Sequence, residues 1–335
     1  MPDDAAGRAA AIAAPPLPRG AVPAGLIGLL LLAAVLVGIA FAGPSYRFLS
    51  VAVSTGIVAI ALYGLAVLFG QAGILSVGHA GLIGVGAYTA AIIAGRYGLG
   101  FWPALPIAAV ITALVAGVLG LPALRVSGHH YVIITFAFCA LLTIVLTNGG
   151  SFTGAAAGLD VGPIGSLFGI RLDRLRNTYL LVVAVLLLAM LATHLIANSR
   201  YGRTLRSIRE NELLARAIGI NTAWHKIGAF MVSGVFAGIA GVLQAYYLRH
   251  ISPTLYGAFP SVYLALMVML GGPRLLYGPF AGAVIVNFLP EILDMDPVDA
   301  RIAYGVGLVA VILLLPGGVM AGFAALARRA RAVVR

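Results

Sequence analysis

Residues 48–95 read FLSVAVSTGIVAIALYGLAVLFGQAGILSVGHAGLIGVGAYTAAIIAG and contain no Asp, Glu, Lys or Arg. A helix needs about 20 mostly apolar residues to cross the hydrocarbon core of a bilayer. The stretch is therefore long enough for two crossings, and the polar and glycine residues at Gln71–Gly73 suit the turn between them. The sequence predicts a helical hairpin in a membrane here.

The same pattern continues along the rest of the chain. Further stretches without these four charged residues are 20–46, 97–124, 126–159, 177–199, 227–248, 250–273, 275–290 and 302–327. Only 9% of all residues are charged, whereas a soluble domain has about 25%. We therefore predict an all-α fold, a polytopic transmembrane helical bundle of about ten spans in a lipid bilayer. Counts of nine or eight are the alternatives.

The basic residues lie mainly in the connections between these stretches. They give a net charge of +11, which orients a membrane protein rather than indicating nucleic-acid binding, because Lys and Arg concentrate in cytoplasmic loops. With a cytoplasmic N-terminus, alternation places 70–73, 198–226 and 272–277 inside, and ten spans place both termini inside. The long 149–177 connection is the exception, since it is basic but falls outside. The single cysteine leaves no internal disulfide framework.

The two ends of the chain differ from its middle. Residues 1–20 are rich in Ala and Pro, and we expect them to be a disordered cytoplasmic segment. The apolar run 24–42 is longer than a typical signal-peptide core, so we interpret it as a retained first span. Cleavage after the small residues at 40–42 is the alternative. Residues 326–335 form a basic cytoplasmic tail.

The loop 198–226 is the most polar internal segment, and from Ser199 it reads SRYGRTLRSIRENELLARAIGINTAWHK. The i,i+4 spacings of Arg206 with Glu210 and of Glu212 with Arg216 predict ion pairs that support a helix. Gly219 would end it. We place one apolar face on this short helix, formed by Leu205, Ile208, Leu213, Leu214, Ala217 and Ile218. The loop is either a solvated positive-inside loop or a helix that docks on a partner protein.

Small residues recur in several of the apolar stretches. They form rows at Gly78, Gly81 and Gly84, at Gly86, Ala90 and Ala94, and at Gly234 and Gly238. Such rows predict close helix packing. The density of glycine at 70–86 also allows a broken helix, with Ser76 and His79 at the break. Gly271, Gly272 and Pro273 predict a second break near an inner turn.

A few polar side chains interrupt the apolar stretches and are candidates for a translocation pathway. Ser76 and His79 qualify because an ionisable residue within a membrane is a functional candidate by default. Thr135 can instead bond to its own helix backbone. Asn148 and Thr153 lie at an outer end, where they would face an arriving substrate.

Several classes of chemistry have no motif in this sequence. We find no phosphate-binding loop, no paired membrane carboxylates, no His/Cys metal cluster and no nucleophile elbow. We therefore expect no metal, no cofactor and no enzymatic activity in the chain. Because charged residues are nearly absent from the spans, proton coupling is also disfavoured, and another polypeptide would have to supply energy.

The loop resembles the coupling loop of the membrane subunits of ABC importers, in particular of branched-chain amino-acid permeases. Their pattern is close to G-R-x-L-R-A-I-R-E-N-E…A-x-G-I-N. The matching residues are Gly202, Arg203, Leu205, Arg206, Ile208, Arg209, Glu210, Asn211, Glu212, Ala215, Ala217, Gly219, Ile220 and Asn221. Leu213 and Leu214 depart from the broader importer motif, which has Glu-Ala-Ala, so Glu212 becomes the candidate for its acidic role.

Three other segments resemble the same family. Residues 70–95 are similar to its G-x-x-S-x-G-H-A-x-x-x-G-x-G-A-Y signature, and 124–159 and 269–293 to two later motifs. The resemblance covers roughly 70–325, and the extra first span and long tail are similar to the longer of the family's two permease subunits. It implies that 21–325 is a transmembrane permease domain.

The resemblance also implies a function and a set of partners. The expected function is a permease subunit of an ATP-driven importer of leucine, isoleucine and valine in a bacterial-type cytoplasmic (inner) membrane. The expected partners are a second permease, two ATPase subunits and an external substrate-binding protein. Urea, short amides or a simple sugar are alternative substrates, and a secondary transporter or channel without ATPases is the alternative of a different class. The expected ATPase-coupling residues are Gly202, Arg203, Arg206, Arg209, Glu210, Glu212, Ala215 and Gly219.

Overall fold

A computed structural model describes residues 21–122, 129–167 and 170–293, and the single positions 296, 305, 306 and 319. Apart from four two-residue strands, its regular structure is helical, as the all-α prediction requires. The α-helices are α1 (Ala21–Phe41), α2 (Tyr46–Ala66), α3 (His79–Tyr97), α4 (Phe101–Gly120), α5 (His129–Asn148), α6 (Leu175–Asn198), α7 (Arg200–Glu210), α8 (Glu212–Ala217), α9 (Thr222–Leu248), α10 (Ala258–Gly271) and α11 (Gly278–Ile292).

The remaining elements are short. A π-helical turn, Val67–Gln71, continues α2, and 3₁₀ turns occur at Gly150–Phe152, Ala155–Ala157 and Pro253–Tyr256. Strand β1 (Leu159–Asp160) pairs antiparallel with β4 (His250–Ile251), and β2 (Ser166–Leu167) pairs with β3 (Ile170–Arg171).

Six helices in the described residues are long and apolar enough to cross a membrane. They are Tyr46–Gln71, Phe101–Gly120, His130–Asn148, Leu175–Asn198, Thr222–Leu248 and Pro253–Gly271. Two shorter apolar helices are Ile27–Phe41 and Gly278–Ile292. A multi-pass helical bundle is therefore confirmed, whereas the predicted count of about ten spans is not. The predicted segments 1–20 and 326–335 and nearly all of the predicted span 302–327 lie outside the described residues.

Helix α9 packs closely on α3 and α4 through glycine. A Cβ added at Gly86 would lie 2.7 Å from the Gly238 Cα, and one at Gly238 would lie 3.0 Å from the Ala109 Cα. At Gly234 the nearest atom to an added Cβ is the Ala116 Cβ, at 2.6 Å. These distances are shorter than ordinary van der Waals contact. The three helices can therefore approach one another this closely only because glycine has no side chain.

The contacts show which of the connections between helices lie together at each end of the bundle. At one end, Gly70 lies against Pro273 and Gly73 lies against Arg209 of the 198–226 loop. At the other, β1 pairs with β4, and the Arg96 guanidinium donates a 3.3 Å hydrogen bond to the Ser151 carbonyl. The first end holds the connections predicted to be inside. That this end faces the cytoplasm stays a prediction.

Candidate functional site

The 198–226 loop contains two short helices rather than the single helix that we predicted. The Ser199 hydroxyl caps α7 by accepting from the Gly202 amide at 3.2 Å. At Asn211 the backbone turns extended (φ −156°, ψ 102°), and the Asn211 carboxamide oxygen accepts from the Leu214 amide, which starts α8. The prediction of one helix is wrong because Asn211 ends α7 and caps the start of α8, and Asn is a favoured residue at the start of a helix.

Two glycines of the loop have clear backbone roles. Gly219 has a φ of +86° and follows α8, which confirms the predicted helix end. Gly202 lies so close to the carbonyls of Ile196 and Ala197 at the end of α6 that an added Cβ would overlap them. A glycine at this position therefore lets α7 fold back tightly against α6.

Arg206 does not pair with Glu210, so that prediction is wrong. Its guanidinium donates instead to the Gln71 side-chain oxygen at 2.9 Å and to the Ala197 carbonyl at 2.7 Å. Glu210 points outward, 3.8 Å from the Arg209 guanidinium. Two fixed acceptors in a partly buried place outcompete an exposed carboxylate, because exposed ion pairs contribute little.

Arg209 binds to the same part of α2. Its guanidinium donates to the Gly70 carbonyl, and its aliphatic stem lies on Gly73, which has a φ of +74°. Burial lowers the pKa of Arg209, and the nearby charge of Arg274 adds to this. Together Arg206 and Arg209 attach α7 to the π-helical turn at the end of α2. The exposed Arg203 bonds only locally in the described contacts, to the Asn198 carbonyl at 3.0 Å.

Glu212 joins the loop to the N-terminal part of α9. Its carboxylate lies 2.8 Å from the Arg216 guanidinium, as predicted, and 2.7 Å from the Lys226 ammonium. Partial burial alone would raise the pKa of Glu212, but the hydrogen bond and charge of Lys226 and the bond from Arg216 outweigh it and hold the pKa below its usual value. The carboxylate of Glu212, one of the expected ATPase-coupling residues, thus binds two side chains of its own chain.

The predicted apolar face of the loop is split in two. Leu205 and Ile208 are buried against the bundle, and so is Ala215. Ala217 is exposed, as are the large apolar side chains of Leu213 (77% exposed), Leu214 (61%), Ile218 (69%) and Trp224 (71%), and we call these last four the apolar edge. A single face is wrong because the break at Asn211 turns α8 away from α7.

Between the π-helical turn and α3 the chain is non-helical, as the glycine pattern allows, and buried polar side chains bind its backbone or attach it to α2. The His79 imidazole Nε2 donates to the Ala61 carbonyl at 2.9 Å, and the Ser76 hydroxyl accepts from the Gly78 amide. The Thr135 hydroxyl accepts from the Val77 amide at 3.0 Å. Irregular backbone is tolerated at membrane depth where protein groups satisfy it in this way.

The other predicted pathway residues lie elsewhere. Asn148 is exposed and donates to the Ile144 carbonyl at 2.8 Å, and the buried Thr153 hydroxyl donates to the Leu146 carbonyl at 2.6 Å. Both are at the far end of α5. The structure therefore brings Ser76, His79 and Thr135 together at the helix break and leaves the other two apart from them.

The second predicted break is a tight turn between α10 and α11. A Cβ added at Gly271 would overlap the Gly278 carbonyl, and one added at Gly278 would overlap the Gly272 carbonyl. Gly272 has a φ of +100°. The Tyr63 hydroxyl donates to the Leu276 carbonyl at 2.8 Å, which fixes the turn on α2. This turn also borders the π-helical turn through Pro273.

A cavity of about 440 Å³ lies between α2, α3, α9, α10 and α11. It is lined by Ile57, Val58, Ala80, Ile83, Ala240, Gln244, Leu255, Tyr256, Pro260, Tyr263, Leu264, Met267, Val286 and Asn287. None of its lining residues is charged, and none is one of the five predicted pathway residues. The signals that we missed were Gln244 and Asn287, two carboxamides in otherwise apolar helices.

Two polar groups at this cavity lack a partner. The Tyr256 hydroxyl and the Asn287 side-chain nitrogen are inaccessible to water and make no hydrogen bond within the structure. Buried polar groups are nearly always paired, so such exceptions call for an explanation. The described residues contain no cluster of three or more His, Cys, Asp or Glu side chains that could hold a metal.

The sequence of this chain matches a known protein family. Residues 47–316 match the family described as "Branched-chain amino acid transport system / permease component". The chain belongs to this family. No solved structure matches it.

Curated relatives within and near this family are only moderately similar. The High-affinity branched-chain amino acid transport system permease protein LivM of Salmonella typhimurium is 30% identical over 266 residues, covering 72% of this chain and 63% of the relative. LivM of Escherichia coli is 30% identical over 253 residues, 69% of this chain and 60% of the relative. The Ribose import permease protein RbsC of Escherichia coli is 28% identical over 180 residues, 52% of this chain and 54% of the relative. The chain therefore spans less than two thirds of the length of both LivM relatives.

Proposed function

We propose that the chain is the membrane-spanning, non-catalytic permease subunit of an ATP-driven importer of leucine, isoleucine and valine. The observation that carries this proposal is the construction of the 198–226 loop. It presents an exposed apolar edge, while Arg206 and Arg209 hold its other side against the end of α2. A loop built only to orient the chain would need neither feature.

The apolar edge fits a groove on an ATPase subunit. A short helix that lays apolar side chains into a hydrophobic groove is a common recognition mode. Leu213 and Leu214 supply the anchors, and the exposed Glu210 and Arg203 at the rim would set orientation and exclude wrong partners. Two ATPase subunits are proposed, one on this chain and one on the second permease.

Movement of the docked loop has a direct route into the bundle. The bonds from Arg206 and Arg209 end on the π-helical turn, and this turn leads into the broken segment before α3. The break is attached to the bundle centre through His79 and Thr135. We propose that ATP-driven closure of the ATPases shifts the loop and, through this turn, the two helices that border the cavity.

The substrate assignment rests on relatives and on the cavity. Both LivM relatives carry branched-chain amino acid transport in their names, and they match more of the chain than the ribose permease does. The cavity walls are mostly aliphatic, which suits an aliphatic side chain better than a sugar. A ribose-like sugar remains the second candidate because of the RbsC match, and urea or short amides share the architecture.

Purification of the tagged chain from its native membrane in mild detergent tests the class. We expect two ATPases and a second permease to co-purify, and vesicles with the external binding protein to take up leucine only with ATP. Uptake that persists without ATP, in a preparation lacking ATPases, would support a secondary transporter or channel instead. Orientation in a bacterial-type cytoplasmic membrane with both termini inside is tested in the same vesicles by protease access to the 326–335 tail.

A further inference from the structure

The cavity between α2, α3, α9, α10 and α11 has the features of a small-molecule site. Ligand pockets are concave, mostly apolar and roughly 300–1,000 Å³ in volume, with a few polar groups that fix orientation. This one measures about 440 Å³. Its polar groups come from four elements, namely Gln244, Tyr256, Tyr263 and Asn287.

The unpartnered groups point to a polar ligand. Tyr256 is only 1% exposed, and its hydroxyl has no hydrogen-bond partner within the structure. The Asn287 side-chain nitrogen is also buried and unpaired. A lipid acyl chain in the cavity would leave both groups unpaired, which costs free energy. A molecule with hydrogen-bonding groups at one end would satisfy them.

The rest of the lining defines the other end of that ligand. Ile57, Val58, Ile83, Leu264 and Met267 make an aliphatic wall, and no charged side chain is present to bind a net charge. Ala80 brings the first turn of α3 to the wall, and its backbone amide donates to the Ser261 hydroxyl at 2.9 Å. The polar side chains of the lining are therefore the groups available to the polar end of a ligand.

We propose that this cavity is a transient site for the transported aliphatic amino acid. The Tyr256 hydroxyl and the carboxamides of Asn287 and Gln244 bind its polar end, and the aliphatic wall holds its side chain. The proposal rests on the proposed importer function. A site without charged residues binds a zwitterion weakly, which suits a pathway because the substrate must leave as readily as it enters.

The test compares three single variants in the assembled transporter, reconstituted with its ATPases and its binding protein. They are Tyr256→Phe, Asn287→Leu and the control Tyr246→Phe. Tyr246 is a matched control because its hydroxyl is also buried and unpaired, yet it is not a cavity residue. Since none of these substitutions removes a hydrogen bond seen in the structure, all three chains should fold and assemble.

We expect Tyr256→Phe and Asn287→Leu each to lower the leucine transported per ATP by about three- to tenfold, the range that one hydrogen bond supports. Tyr246→Phe should stay within twofold of the unmodified transporter. Values within twofold for both cavity variants would overturn the cavity assignment alone. Absence of ATP-dependent leucine uptake by the unmodified transporter would instead overturn the proposed function.

Discussion

The Arg206 guanidinium lies 2.9 Å from the side-chain oxygen of Gln71, across 135 residues of sequence, and joins the 198–226 loop to the end of α2. A hydrogen bond from a charged group contributes about 1.5–3 kcal/mol, more than a neutral one. Since Arg206 also donates to the end of α6 through Ala197, it holds three segments in one arrangement. Together with the bond from Arg209 to the Gly70 carbonyl, this contact would carry a force on the loop to the end of α2.

We predict that Arg206→Ala uncouples hydrolysis from transport. The variant should keep its ATPase activity but transport at least tenfold less leucine per ATP, because the loop no longer holds the π-helical turn. The control is Arg200→Ala at the start of the same helix, whose side chain is exposed, and it should stay within twofold. A double-mutant cycle with Gln71→Ala isolates the pair. Additive effects in that cycle would contradict a direct linkage.

Glu212 is predicted to stabilise the loop rather than to contact the ATPase. In Glu212→Gln, the nearly buried Lys226 ammonium loses the carboxylate that lies 2.7 Å from it, and an unpaired buried charge is strongly unfavourable. We expect a lower thermal midpoint of the purified complex, and partial recovery when Lys226→Met is added. The exposed Glu210→Gln is the control and should leave the midpoint unchanged.

Because the pKa of Glu212 is lowered, the stability that the Glu212–Lys226 ion pair contributes depends on pH. A carboxylate whose pKa is lowered by folding contributes stability that is complete above its ordinary pKa, about 4.3, and is lost as the pH falls through the lower folded value. In a Trp102→Phe background, Trp224 is the single tryptophan, and it lies two residues before Lys226 near the start of α9. Its fluorescence should change with a midpoint below pH 4.3, and Glu212→Gln should abolish that transition.

Local sequence patterns predicted the local features of this protein. Charge-free stretches indicated the helices, the Gly-rich segment at 70–86 indicated the broken helix, and the i,i+4 spacing of Glu212 and Arg216 gave a real ion pair. The same spacing misled for Arg206, since its acceptors come from distant parts of the chain. A spacing rule compares only neighbours on one helix, so it cannot weigh a competing tertiary partner.

The cavity could not be predicted for the same reason. Its lining residues run from Ile57 to Asn287 on five α-helices and a 3₁₀ turn, and no two of its polar groups form a motif. The residues that did form a motif, Ser76 and His79, bind the Gly78 amide in the break and the Ala61 carbonyl in α2. The Gly-rich motif at 70–86 therefore indicated the irregular segment before α3. Ser76 and His79 in that segment do not line the cavity.

The apolar edge gives a prediction about assembly. Leu213→Asp should abolish co-purification of the ATPase without lowering the amount of chain in the membrane, because this side chain is 77% exposed and supports nothing inside the bundle. A charge placed in an interface groove carries a desolvation cost and removes an anchor. Leu99→Asp, an exposed leucine at the opposite end, is the control. Loss of the ATPase in both variants would indicate a general defect.

The contact between α3 and α9 gives the last prediction, which concerns stability. In Gly86→Ala, the new methyl group would lie 2.7 Å from both the Cα and the carbonyl oxygen of Gly238, and these backbone atoms cannot move aside as a flexible side chain would. Overpacking of this kind costs about 1–3 kcal/mol. Gly95→Ala on the same helix is the matched control, since no atom lies within 4 Å of its added Cβ. There the substitution should stabilise the helix by up to about 1 kcal/mol, because Ala is the better helix former. Thermal unfolding in detergent should therefore shift in opposite directions for the two variants, and a common shift would contradict the close packing of α3 on α9.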